Sequence, residues 1–307
     1  MARIKRVKLP TTAWYHLIAR VTNREFLLET DGKKSRFIDF LYRSLEFSGV
    51  ELGTYAILDN HVHLFVRVPE ARELDDEEIL RRISVLNGKE RARAVREKWE
   101  AWQEDGHEER YKADRARYLR RMYDVSQFMK TLKELFTMWY NHTYRHVGTL
   151  WTDRFKSLLV EGGNSVEKLR VYIETNPVRA GIVGSAADYA WNGIGAAVRG
   201  DAVAKRGQAL LDGERMDAQS HTEREPADGG GTRAACGQIV SDRRVIPFSN
   251  GKVLGSREFV TQIVRLMGFF SRRTHAWPLK EKEFRQKVFA ALGYKEDAIS
   301  TFLSSVA

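Results

Sequence analysis

Residues 51–68 read ELGTYAILDNHVHLFVRV. The segment contains two apolar runs, 51–58 and 61–68, and each run predicts a β-strand because it is rich in β-branched and aromatic side chains. Asp59 and Asn60 lie between the runs and are typical turn residues. The segment therefore predicts two strands joined by a tight turn.

The chain on either side of these strands adds further periodic segments. The predicted elements are a strand over 14–21, amphipathic helices over 33–48 and 124–142, a strand over 149–160 and a short helix over 166–176. Apolar side chains recur at helical spacing in the first two helices, and Pro177 ends the third. This order of elements indicates an α+β fold, with an antiparallel sheet whose helices cover one face.

We assign these elements to a first domain over residues 1–195. Three segments differ from them in composition, one inserted within this domain and two that follow it. In the segment 71–121, 27 of 51 residues are charged, and it predicts a helical insertion that projects from the sheet without a packed core. Residues 196–245 are poor in aromatic side chains and include three consecutive glycines, which predicts a flexible linker. Residues 246–307 regain helical periodicity and predict a small helical C-terminal domain.

Composition narrows the class of protein. The 307 residues are 43% hydrophobic, and no apolar run is long enough to span a bilayer, which excludes an integral membrane protein. The N-terminus lacks the apolar stretch of a signal peptide, so we expect a cytoplasmic location, at the nucleoid if DNA is the ligand. A single cysteine, Cys236, excludes an intramolecular disulfide. The net charge of +10 indicates a polyanion ligand, of which nucleic acid is the commonest, or else an ordinary solvated surface.

A first candidate site is the sequence His61-Val62-His63. Side chains alternate along a strand, so the two histidines leave the same face of the sheet. Two imidazoles at this spacing can chelate one divalent metal ion. The alternative is two unrelated histidines on one sheet face.

A second candidate site is the pair Tyr172 and Asn176, four residues apart on the predicted helix and therefore on one helical face. A tyrosine beside a metal ion can act as a covalent nucleophile. The alternative is a half-buried aromatic residue followed by a helix-terminating asparagine.

Three motifs occur in a fixed order: NHVHLFV from residue 60, GTLWTDRFKSLLVE at 148–161 and YIETNPVRAGIV at 172–183. Together they resemble the HUH single-tyrosine transposases, and in particular their REP-associated branch. The resemblance covers roughly residues 5–195. The charged insertion at 71–121 departs from the shortest members of that family.

The resemblance implies a ferredoxin-like palm that binds Mg²⁺ or Mn²⁺ through His61, His63 and Asn176. It implies that Tyr172 cleaves single-stranded or hairpin (REP) DNA by transesterification through a 5′-phosphotyrosine, in a monomer or a homodimer. Two alternatives stay open. One is a regulatory DNA-binding protein that keeps the fold without cleavage, and the other is a metal-dependent nucleic-acid hydrolase that uses water.

Basic and aromatic residues near these motifs are the expected DNA contacts. They are Arg3, Lys5, Arg6, Lys8, Arg154, Lys156 and Arg179, together with Trp151 as a stacking surface for unpaired bases. For Trp151 the alternative is core packing. The C-terminal segment carries 10 basic and 5 acidic residues, and we expect it to add DNA affinity. The rival interpretation is that its apolar stripe, which includes Phe259, packs against the palm.

Overall fold

The computed structural model describes residues 8–9, 11–220, 253–254 and 259. Its strands are β1 (Ala13–Arg20), β2 (Glu51–Ile57), β3 (His61–Val68), β4 (Lys156–Val160) and β5 (Val253–Leu254). Its α-helices are α1 (Asp31–Ser48), α2 (Asp76–Asn87), α3 (Lys89–Glu104), α4 (Glu108–Leu119), α5 (Val125–Tyr144), α6 (Asn164–Glu174), α7 (Asn176–Arg179), α8 (Gly193–Val198) and α9 (Ala202–Ser220). Across these described ranges, no helix is both long enough and apolar enough to cross a bilayer.

The strands form one sheet in the order β2-β3-β1-β4-β5. The pairs β2–β3, β3–β1 and β1–β4 are antiparallel, whereas the short β5 runs parallel to β4. The α+β class with an antiparallel sheet is therefore confirmed. The predicted tight turn joins β2 to β3, and Ile57 pairs with Val62 next to it.

Helices cover both faces of the sheet, not one. Leu17 and Leu64 belong to the core that the sheet forms with α1 and α5. On the opposite face, Trp14 packs against Phe65 with ring centroids 4.7 Å apart, and α6 and α9 bury this second cluster. The expectation of a single covered face was wrong because β1 and β3 carry large apolar side chains on both faces of the sheet.

The two long helices begin and end where local sequence signals place them. The Asp124 carboxylate accepts hydrogen bonds from the backbone N–H groups of Ser126 and Gln127, at 2.7 and 2.9 Å, and so caps α5. Gly49 ends α1 with a φ of 69°, a left-handed conformation that favours glycine. These caps fix the ends of the helices that cover the first face.

The charged segment 71–121 is helical, but it has a core of its own. Apolar residues of α2, α3 and α4, with single residues of α1 and of the segments beside these helices, form a cluster in which Trp99 is only 2% exposed. The Trp99 indole N–H donates to the Asp114 carboxylate at 2.9 Å. The expectation of exposed helices without a packed core was wrong, because the few apolar residues of α2, such as Ile79, Ile83 and Leu86, lie on one helical stripe.

The predicted linker at 196–245 is wrong over its first half, where α8 and α9 form. Leu211 on α9 is fully buried. A Cβ atom at Gly207 would lie 2.3 Å from the backbone oxygen of Gly53 in β2, so α9 contacts the sheet closely at a pair of glycines. Residues 221–245 lie outside the described residues.

The predicted C-terminal domain at 246–307 contributes to the sheet at its start. The N–H of Glu161 donates to the carbonyl of Leu254 at 2.8 Å, and Phe259 packs against the core under α1 and α5. Residues 253–254 therefore belong to the sheet of the first domain, and at Phe259 packing against the palm, the rival interpretation, is the observed state. The rest of the segment lies outside the described residues.

Gly207→Ala tests the packing of α9. We expect it to lower the free energy of unfolding by about 1–3 kcal/mol, because the added methyl group meets backbone atoms that must move. The matched control is Gly213→Ala on the same helix, where nothing lies within 4 Å of the new methyl group. Alanine is the better helix former by about 1 kcal/mol, so this control should gain stability. Equal urea midpoints for the two variants would contradict the packing of α9 on β2.

Candidate active site

Strand β3 and helix α6 bring three predicted site residues together on the second face of the sheet. The ring centroid of His63 lies 5.0 Å from that of His61 and 5.9 Å from that of Tyr172. His63 is 3% exposed and Tyr172 is 5% exposed. Tyr172 is more than a hundred residues away from both histidines in the sequence, so this cluster is a product of the fold.

His61 has a defined tautomer. Its Nδ1 atom lies 2.7 Å from the side-chain oxygen of Asn60, and because an amide oxygen only accepts, Nδ1–H is the donor. Its Nε2 atom therefore keeps a free lone pair. Burial lowers the pKa of His61 to about 4, with a further contribution from the positive charge of Arg20. His61 is thus a neutral imidazole at physiological pH, the form that binds a metal ion.

His63 is held by a buried partner that the sequence did not indicate. The Nε2 atom of His16 on β1 lies 2.8 Å from Nδ1 of His63. Burial lowers the pKa of His63 well below its ordinary value, and the nearby basic groups act in the same direction. The alternation along β1 predicts which face His16 takes, but only the pairing of β1 with β3 places it beside His63.

Over the described residues, no group of three or more His, Cys, Asp or Glu side chains is arranged to hold a metal ion. His61 and His63 lie side by side on β3, and His16 is hydrogen-bonded to His63. Any further ligands for a metal ion would have to be oxygen atoms of other groups.

The helix that carries Tyr172 ends sooner than expected. Pro177 has no N–H, and its ring excludes the carbonyl of Ile173 from a regular helix, so α6 stops at Glu174 and the short α7 follows. Asn176 is the first residue of α7, and its side-chain amide donates to the backbone carbonyl of Tyr172 at 3.4 Å. Asn176 therefore stays one turn beyond Tyr172, in contact with its backbone.

Arg179 lies directly over the ring of Tyr172, with the guanidinium carbon 4.1 Å from the ring centroid. Its Nη2 atom donates to the carbonyl of Tyr172 at 3.1 Å. Its Nη1 atom is buried and has no hydrogen-bond partner among the described residues. Burial lowers the pKa of Arg179, but an arginine still stays protonated. A positive charge with an unused donor thus lies beside the tyrosine.

The other predicted DNA contacts have different surroundings. Lys8 forms an ion pair of 2.5 Å with Asp124 and so supports the start of α5. Arg154 and Lys156 are exposed. In the sheet, Ile18 on β1 lies opposite Lys156 on β4 and opposite His63 on β3. Lys156 and His63 therefore face the same side of the sheet. They are two strand spacings apart, which is about 10 Å. Residues Arg3, Lys5 and Arg6 lie outside the described residues.

Trp151 is a core residue, and its prediction as a stacking surface was wrong. It is 5% exposed, and its indole N–H donates to Thr137 at 3.1 Å. Its ring packs near those of Phe37 and Phe136. Core packing, the alternative considered from the sequence, is the observed state.

A buried polar network anchors α6. Glu174 is almost fully buried, and its Oε1 atom accepts hydrogen bonds from the Thr54 hydroxyl at 2.8 Å and from the Gln208 amide at 2.7 Å. Arg170 lies 3.7 Å from the other carboxylate oxygen and pairs with Asp212 at 2.6 Å. Burial raises the pKa of Glu174, whereas Arg170 opposes the shift. The network ties the tyrosine helix to β2 and α9.

Asn192 anchors the C-terminal end of the same helix. Its side-chain amide donates to the carbonyl of Glu174 at 3.1 Å, and its side-chain oxygen accepts from the N–H of Gly195 at 2.7 Å. The Tyr189 hydroxyl donates to the carbonyl of Ile57 nearby, at 2.7 Å. These contacts were missed by sequence reasoning, because a polar residue gives no signal of its buried partner.

Thr54→Val tests the anchoring of α6. Valine keeps the shape of threonine but leaves the buried carboxylate of Glu174 without one donor, so we expect a loss of about 1–3 kcal/mol in the free energy of unfolding. Thr143→Val, on the exposed part of α5, is the matched control and should change stability by less than about 0.5 kcal/mol. Equal stability of the two variants in urea unfolding would contradict a structural role for this hydrogen bond.

Residues 11–116 match the family model described as IS200-like transposase. A solved structure described as a REP-associated tyrosine transposase bound to a REP hairpin resembles the chain with a TM-score of 0.41 and 15% identity, over 65% of this chain and 87% of that one. No curated protein sequence matches the chain. The matched region contains β1, β2, β3 and both histidines of the site, and over these residues the chain is similar to the IS200-like transposases.

Proposed function

We propose that this protein is a transposase-type endonuclease and strand transferase that acts on single-stranded or hairpin DNA, with Tyr172 as its nucleophile. The observation that carries the proposal is the position of the Tyr172 ring, 5.9 Å from the ring of His63 and beneath the guanidinium of Arg179. The family match supports DNA as the substrate class.

His61 and His63 are the proposed protein ligands of a divalent metal ion, with the side-chain oxygen of Asn176 as the third. The donor set fits such an ion, since both imidazoles are neutral and Nε2 of His61 has a free lone pair. Mixed nitrogen and oxygen ligands suit Mn²⁺ or Mg²⁺. When bound, the ion would withdraw charge from the oxygens of a DNA phosphate.

The proposed reaction is a transesterification. The phenolic oxygen of Tyr172 bonds to the scissile phosphorus as the bond from phosphorus to the 3′ oxygen breaks. The tyrosine loses its proton, the departing 3′ oxygen gains one, and the 5′ phosphate stays on the tyrosine. The bond energy is retained, so the free 3′-hydroxyl can reverse the step and join strands without a nucleotide cofactor.

Arg179 is the proposed phosphate-positioning group beside the nucleophile. Its buried Nη1 atom has no partner in the described part of the chain, and a phosphate oxygen would supply one. Lys156, on the same face of the sheet as His63, would contact the backbone of the strand farther from the scissile bond. Arg154 is exposed beside it.

A hairpin substrate is the most specific part of the proposal, and it rests on the sequence motifs around His61, Trp151 and Tyr172. Phosphate contacts carry no sequence information, so recognition of a hairpin would depend on its shape and on a few unpaired bases. The active form is proposed to be a monomer or a homodimer.

Tyr172→Phe removes only the phenolic oxygen. We expect it to abolish the covalent protein–DNA adduct and strand cleavage, while DNA binding stays unchanged. The measurement is a denaturing gel of protein incubated with labelled hairpin DNA and Mn²⁺. The matched control is Tyr144→Phe, an exposed tyrosine that should keep full adduct formation.

Adduct in Tyr172→Phe would show that another tyrosine is the nucleophile. Cleavage without any adduct in the wild-type protein would favour a hydrolase that uses water. DNA binding with neither cleavage nor adduct would favour a regulatory protein that keeps only the fold.

His61→Ala, alone and combined with His63→Ala, tests the metal site. We expect His61→Ala to weaken Mn²⁺ binding and adduct formation, because one imidazole and one oxygen ligand remain. The double variant should lose both, because the single remaining oxygen ligand cannot hold a hydrated ion. Mn²⁺ binding is followed by paramagnetic resonance and the adduct by gel. His142→Ala changes an exposed histidine of α5 and should behave as wild type. Wild-type cleavage by the double variant at low metal concentration would refute the assignment.

A further inference from the structure

A cleft of about 410 Å³ lies between the helices of the insertion and α5, and nothing in the proposed chemistry uses it. Its cationic lining residues are Arg91, Arg117, Arg121 and Lys130. Among the described residues, Glu134 is the only carboxylate that lines it. The segment 71–121 as a whole has 14 basic and 13 acidic residues, so the cleft concentrates positive charge in a nearly neutral segment.

Of these four cations, Arg117 alone has a close ion pair in the described part of the chain. Lys130 meets Glu134 only at 3.9 Å, and Arg117 pairs with Asp114 at 2.9 Å. Over the described residues, Arg121 has no ion pair, and its Nη2 atom donates to a neutral hydroxyl, that of Thr131, at 3.3 Å. Burial lowers the pKa of Arg121, whereas the negative charge of Glu134 opposes the shift. An anion in the cleft would supply the missing compensation.

The lining indicates what kind of anion fits. Besides the cations, the cleft presents the polar side chains of Asn87, Gln127 and Thr131, so it suits a charged, hydrated group better than an apolar ligand. Three arginines are available, and the guanidinium fork matches phosphate oxygens in geometry. Phosphate is therefore the expected ligand chemistry.

We propose that this cleft binds the phosphate backbone of DNA at a distance from the active site. The identity of the polymer rests on the proposed function. Helix α5 covers the face of the sheet opposite to the one that carries α6 and Tyr172, so the cleft does not contact the scissile phosphate. It contributes affinity for a more distant part of the substrate, not chemistry.

A triple variant, Arg91→Gln with Arg117→Gln and Lys130→Gln, tests the cleft, because these side chains are exposed and their loss spares the fold. The matched control is Arg93→Gln with Arg110→Gln and Lys112→Gln, which removes three exposed cations from the same insertion outside the cleft. The probe is hairpin DNA with single-stranded flanks, and its binding is measured by fluorescence anisotropy across a salt series.

We expect the cleft variant to bind DNA more weakly, with a slope of log K against log salt that is less steep by about 2 to 3, as expected for three lost phosphate contacts. The control variant should keep the wild-type slope. Equal slopes for the two variants would overturn the proposal. So would a cleft variant that loses binding of inorganic phosphate but binds DNA as the wild type does, since the cleft would then be a small-anion site.

Adduct formation separates this proposal from the proposed function. At saturating DNA, the cleft variant should form the Tyr172 adduct at the wild-type rate, and a slower rate would overturn the assignment of a role in affinity alone. If the wild-type protein forms no adduct but the slopes still differ, the proposed function fails and the cleft assignment holds.

Discussion

The antiparallel pairing of β1 with β3 is the constraint on which the site depends. Ile18 lies opposite His63 and Arg20 lies opposite His61, while Leu17 and Leu64 are fully buried on the other face. Because strand side chains alternate with a period of two, a slip of one residue would move each histidine into the core of α1 and α5. The apolar phase of the strands therefore fixes the orientation of both histidines.

Much of this was predictable from local sequence. Two apolar runs around a turn predict β2 and β3, and the alternation within the second run predicts that His61 and His63 share a face. The contact of His16 with His63 could not be predicted from local sequence, since it depends on the register of two strands more than forty residues apart. The nearness of Tyr172 to His63 followed only from the family resemblance, because helix periodicity says nothing about which strand a helix covers.

The errors of prediction have physical causes too. The high charge content of the insertion led to the prediction that it lacks a packed core. Ile79, Ile83 and Leu86 are nevertheless spaced as an apolar stripe on one face of a helix. The glycines of α9 favoured the prediction of a flexible linker. Gly207 instead permits close contact of this helix with Gly53 on β2. In both cases composition was a weaker guide than the position of a few residues.

The site is assembled from two parts of the chain, and their union depends on polar contacts. The family-matched region supplies the histidines, and α6, beyond it, supplies Tyr172. The Thr54 hydroxyl on β2 and the Gln208 amide on α9 both donate hydrogen bonds to Oε1 of Glu174. The carboxylate of Glu174 thereby joins α6 to the family-matched region. Burying the carboxylate of Glu174 costs stability, but leaving it without its hydrogen-bond donors would cost more. This penalty disfavours any rotation of α6 that breaks these hydrogen bonds. Apolar packing alone would let the helix shift by small amounts, whereas the bonds of Glu174 hold the ring of Tyr172 beside His63.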